Sequence, residues 1–79
     1  MKIYTAAPTA FTNVSVNRGS NAVSVNLNGT TATIAFYDLV SGEVTYTTGT
    51  TATYSTNHAA NVSVSVSAHN RIPYVNEGT

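Results

Sequence analysis

The chain has 79 residues, 42% hydrophobic and 8% charged, and Lys2, Arg18 and Arg71 balance Asp38, Glu43 and Glu77 to zero formal net charge. This length holds one domain at most, and three scattered cations exclude an electrostatic nucleic-acid interface and a polybasic membrane anchor alike. The absence of cysteine excludes disulfides, thiolate metal sites and cysteine nucleophiles.

From Met1 to Pro8 there is no continuous apolar stretch of the kind an export signal needs. No run approaches the ~20 apolar residues of a spanning helix, so membrane insertion is not expected. A surface of Thr, Ser and Asn in place of Lys and Glu is common in secreted bacterial and phage modules. It favours a mature piece or an excised domain over a native cytoplasmic protein.

Period two then dominates. Asn13-Val14-Ser15-Val16-Asn17 alternates, and Arg18-Gly19-Ser20-Asn21 supplies turn residues. Val23, Val25 and Leu27 alternate with Ser24 and Asn26 up to Asn28-Gly29, a pair that tolerates the positive φ of a type I′ turn. Beyond it come Ala32, Ile34 and Phe36. A two-residue hairpin here sets Leu27 opposite Thr30, Val25 opposite Ala32 and Val23 opposite Ile34, so apolar meets apolar at the two inner pairs.

Ser41-Gly42 turns the chain after Leu39 and Val40. Short strands are expected at Val44-Thr45-Tyr46 and at Thr51-Ala52-Thr53-Tyr54, and a loop at Asn57-His58-Ala59-Ala60. Val62, Val64, Val66 and Ala68 alternate with serines in a half-buried strand. Pro73 lacks an amide donor, so Ile72-Pro73-Tyr74-Val75 is an edge strand or an extended tail, with Tyr74 over the rim. No segment shows helical spacing. Six or seven short strands separated by turns describe an antiparallel sandwich or small barrel, with Val16, Val23, Val25, Ile34, Phe36, Val64 and Val66 inside. So small a domain buries only roughly 60% of the surface its unfolded chain exposes, and it must rest on backbone pairing, a thin core or contacts with a larger protein.

Chemistry is sparse. His58 and His69 are the only side chains that ordinarily titrate near neutrality, and loop histidines with local hydrogen bonds account for them better than a zinc site. Ser67 and His69 lie on one strand face with no orienting acid in sequence, and no Gly-x-Ser-x-Gly elbow occurs. Asp38 and Glu43 flank a turn, which suits a turn-forming aspartate and a solvated glutamate more than a calcium cage. Tyr4, Tyr37, Tyr46, Tyr54 and Tyr74 could form a platform for sugars, or close the edge of a core with their hydroxyls in water. The triplets Thr31-Ala32-Thr33, Thr45-Tyr46-Thr47 and Thr51-Ala52-Thr53 are too irregularly spaced for an ice-binding ladder. No catalytic, cofactor-binding or metal-binding residue is assigned, and no cofactor is expected.

Ser63-Val64-Ser65-Val66-Ser67-Ala68-His69-Asn70-Arg71-Ile72-Pro73-Tyr74-Val75 resembles the closing segment of the small immunoglobulin-like domains that follow gingipain-type cysteine peptidases in secreted Bacteroidetes-like proteins. Ala32-Thr33-Ile34-Ala35-Phe36-Tyr37, followed by Ser41-Gly42-Glu43-Val44, is similar to the central strand and turn of the same domains. The resemblance spans roughly residues 22 to 75. It implies an immunoglobulin-like β-sandwich over residues 1–79, secreted or at the cell surface, acting as a non-catalytic accessory or spacer module. Its partner would be a neighbouring domain of the same polypeptide or another protein. The alternative is an independent surface or phage binding module with a carbohydrate or protein ligand.

Overall fold

A computed structural model describes residues 7–78. Residues 1–6 and 79 lie outside the described residues, and with them Tyr4 and most of the stretch read for an export signal. Among the described residues every regular element is a strand: β1 (Thr9–Ala10), β2 (Ser15–Arg18), β3 (Ala22–Asn26), β4 (Ala32–Asp38), β5 (Val44–Gly49), β6 (Thr51–Ser55), β7 (Val62–Ser67), β8 (Arg71–Ile72) and β9 (Tyr74–Asn76). The β-branched content and the period-two alternation explain the choice, because such residues fit a pleated, half-buried surface.

Seven of these strands make a sandwich of two antiparallel sheets, ordered β2-β3-β6 and β5-β4-β7-β9. Strands β1 and β8 add a short parallel pair, Thr9 beside Arg71 and Ala10 beside Ile72. Lettered A to G in chain order without that pair, the sheets read ABE and DCFG. The constant-type immunoglobulin arrangement is ABED against CFG, so the fourth strand here has moved to the opposite sheet. The expected all-β sandwich of six or seven strands is the one the chain adopts.

The inward residues of both sheets fill a single core. Val23, Val25 and Ala52 come from one sheet, Ala32, Ile34, Phe36, Val62, Val64 and Val66 from the other, and Leu27 from the connection between them. Six of the seven expected core residues are buried. Val16 is only half-buried, because β2 is an edge strand with a neighbour on one side.

The expected hairpin between β3 and β4 does not form. Its turn does: Asn28 and Gly29 have φ of 52° and 91°, and the Thr30 amide donates to the Leu27 carbonyl at 3.2 Å. Yet Val25 pairs with Val16 and Ala52, and Ile34 pairs with Thr47 and Val66. The chain crosses from one sheet to the other here, and the Leu27 amide donates instead to the Thr50 carbonyl. A hairpin sets two alternating apolar rows side by side, whereas a crossover sets them face to face. Both bury the same residues, so alternation alone does not distinguish them.

The tail after Asn70 is docked. Asn70, at φ 57°, turns the chain, and β9 lies along β7 with Val75 opposite Ser65 and Tyr74 against the core. Arg18, at the end of β2, reaches across the open side of the sandwich. Its guanidinium donates to the Val62 carbonyl at 2.8 Å, to the Asn76 side chain at 2.6 and 3.1 Å, and to the carbonyls of Asn76 and Glu77. The outermost strands of the two sheets are thereby tied together. Arg18→Met keeps the aliphatic stem and removes the donors, at a cost of about 1.5 kcal/mol. In a domain this small the thermal midpoint should fall by roughly 6–12 °C, and a midpoint unchanged by circular dichroism would count against the tie.

Candidate functional site

Two places concentrate side chains beyond what the core needs. The first is a polar cluster at the end of the sandwich formed by the β4–β5 turn and the β6–β7 loop. Ala32, Ile34, Phe36 and Asp38 share the inward face of β4 by simple alternation, so the carboxylate of Asp38 is carried inside and is 1% exposed. Its Oδ1 accepts from the amides of Val40 and Ser41, at 2.9 and 3.2 Å. Its Oδ2 accepts from the Tyr54 hydroxyl at 2.9 Å and lies 3.2 Å from His58 Nε2. The turn itself closes with the Gly42 amide on the Asp38 carbonyl and the Asp38 amide on the Glu43 carbonyl. Gly42, at φ 80°, supplies the extra residue of this bulge.

Burial pushes the Asp38 carboxyl upward, but the Tyr54 hydroxyl, the two amides and the charge of protonated His58 pull it further down, to below the usual aspartate value. Tyr54 is held above the usual phenol range, first by its bond to Asp38 and then by burial. His58 Nδ1 lies 2.8 Å from the Ala59 carbonyl oxygen, so both ring nitrogens face acceptors. A neutral imidazole carries one N–H, so both contacts are hydrogen bonds together only in the imidazolium. Neither nitrogen is directed at a serine hydroxyl. The arrangement fastens the loop to the turn; a general base needs a free nitrogen aimed at its nucleophile.

The cluster corrects two expectations. Asp38 is a buried anchor as well as a turn former, and His58 has a distant partner besides its local one. A shallow cleft of about 340 Å³ lies alongside, lined by Ser41, Glu43, Thr56 and Asn57 with the cluster itself. Both Asp38 oxygens already accept from protein donors. Among the described residues no three metal-ligating side chains gather.

Because Asp38 titrates lower in the folded chain than in the unfolded one, its stabilisation is fully present above the unfolded value of about 3.9 and is lost as the pH falls through the folded value. The urea midpoint should therefore decline below about pH 4. Asp38→Asn should lower the midpoint at neutral pH and flatten that decline. An identical acid slope in the variant would refute the assignment.

The second place is the outward face of the four-stranded sheet. Tyr46, Ala35, Ser65 and Val75 form one transverse row, and Val44, Tyr37 and Ser63 the next. Tyr46 is 72% exposed and Tyr37 49%, and as diagonal cross-strand neighbours they lie about 7–8 Å apart at the backbone. Of the other tyrosines, Tyr54 stacks on Phe36 with ring centroids 5.7 Å apart, and Tyr74 sits half-buried at the rim. The five therefore do not form one platform; two of them share a face. The threonine triplets diverge likewise, with Thr33 on this face, Thr45 and Thr47 turned inward, and Thr51 and Thr53 on the opposite sheet. Ser67 and His69 are exposed at the far end of β7, remote in the sheet from the buried Asp38.

No protein-family model, curated protein or solved structure matches this chain.

Proposed function

We propose that the chain is a non-catalytic immunoglobulin-like accessory or spacer module of a secreted or cell-surface protein, like the domains that follow gingipain-type peptidases. The observation that carries this reading is the path of the chain. Residues Thr9–Ala10 pair with Arg71–Ile72 at the end of the sandwich where β7 finishes, whereas Gly78 donates to Ser63 at the end where β7 begins. The described chain thus comes in at one pole and leaves at the other. Such a domain can be strung in series, with each pole facing a neighbour. The Asp38–Tyr54–His58 cluster, with Asp38 buried at its centre, is engaged within the protein, which suits a structural part. Reading the genomic frame on both sides tests the proposal. A contiguous domain on at least one side is the expected result. A start at Met1 with a stop directly after Thr79 would overturn the spacer role.

The exposed pair Tyr37 and Tyr46 favours a second reading, a module that binds a carbohydrate or protein ligand on its surface. The two readings are compatible, because the poles serve the neighbours and the sheet face remains open.

A further inference from the structure

We propose that the outward face of the β5-β4-β7-β9 sheet binds an uncharged glycan, with neighbouring sugars stacked on Tyr37 and Tyr46 and held by the serine hydroxyls of β7. The proposal rests on reading the chain as a non-catalytic module and names the ligand class of its open face.

Four observations converge on that chemistry. The outward positions of all four strands carry no charged side chain, so neither an acidic nor a basic partner finds a complement there. The face exposes two phenol rings on adjacent strands, Tyr46 and Tyr37, and tyrosine offers rigid amphipathic area at little entropic cost. Ser63, Ser65 and Ser67 run as a column along β7 beside them, with Thr33 and Thr48 in the adjoining row. Each hydroxyl is both donor and acceptor. Finally, that column separates Tyr37, Val44 and Tyr46 from Val75, so the apolar groups do not merge. Ser63 Oγ already accepts from the Gly78 amide, but a dry protein interface laid over the column would strand the hydroxyls of Ser65 and Ser67 without partners. A sugar chain presents what this surface lacks. Its apolar C–H faces meet the rings, and its hydroxyls meet the serines and threonines. An extended chain can cross two neighbouring strands and lie on both rings, because Tyr37 and Tyr46 are diagonal neighbours on β4 and β5.

The test is an NMR titration of the isotopically labelled chain with neutral hexasaccharides of the gluco, manno and xylo series, each to about 10 mM, a level at which a millimolar affinity registers. An anionic oligogalacturonate is the control. Shifts confined to the outward residues of β4, β5 and β7 are expected with at least one neutral series and not with the anionic one. Tyr46→Ala and Tyr37→Ala should each weaken binding at least about tenfold with an unchanged melting midpoint. Tyr46 is exposed enough that its loss cannot unfold the domain. No shifts with any neutral sugar, shifts on the opposite sheet, or binding that survives both substitutions would overturn the site. Self-association through the same tyrosines would overturn it too, because the face would then be protein-binding. Reducing ends appearing during the titration would instead refute the non-catalytic reading and leave the site in place.

Discussion

Phe36→Ala should leave the protein largely unfolded at room temperature. Phe36 is 1% exposed, lies between Thr45 and Val64 in the sheet, and stacks on Tyr54 from the facing sheet. Emptying such a site costs ~3–5 kcal/mol, from lost transfer energy and from the cavity left behind. Typical stability scales to about 4–12 kcal/mol for a chain of this length, so one ring represents a large share of the whole. The loss has a second component, because Tyr54 is positioned by that ring and in turn donates to Asp38. Near-ultraviolet circular dichroism should lose its fine structure, and urea unfolding should lose its native baseline. Phe36→Leu should restore most of both. A cooperative Ala variant melting within a few degrees of the parent would show that Phe36 is not central.

Truncation after Asn70 should be the next most damaging change. It removes β8 and β9 together, so β1 loses its partner and β7 becomes an edge. Tyr74 leaves the core boundary, and Arg18 loses four of its five bonds, keeping the one to Val62. A loss of about 2–3 kcal/mol corresponds to a midpoint lower by roughly 8–24 °C. An unchanged midpoint would mean that the tail is frayed.

The sandwich was legible in the sequence because its core obeys one rule. Val23, Val25, Ile34, Phe36, Val64 and Val66 alternate with polar residues or the small Ala35, and each points inward. The same rule, continued two positions past Phe36, lands on Asp38; a charged residue in a turn context concealed an inward position. Which strand pairs with which was less legible. Asn28-Gly29 encodes a tight turn whether the flanking strands lie in one sheet or in two. The choice between those is made by β2 and β6, which pair with β3 on its two sides and leave no edge for β4. The tyrosine face was hidden for a related reason. Tyr37 and Tyr46 become neighbours only through the register of β4 on β5, which the bulge at Gly42 sets. A slip of one residue would turn Tyr46 to the other face.

The Arg18 tie also bears on how the domain would carry a load. Tension applied at the two poles first meets the short β1–β8 pair at the entry pole and, once that yields, passes along β2 and β9, the strands nearest the two ends of the sandwich-forming chain. Such a pull shears the strand-to-strand bonds, which must yield together; peeling would break them one at a time. Arg18 stands on this load path, because its guanidinium holds the lower end of β9 and the start of β7 from the end of β2. It converts two separate sheets into a closed mechanical loop at the pole where the chain leaves. Under force the β1–β8 pair should yield first and the Arg18 clamp should resist next, so Arg18→Met should lower the unfolding force by more than its effect at equilibrium suggests.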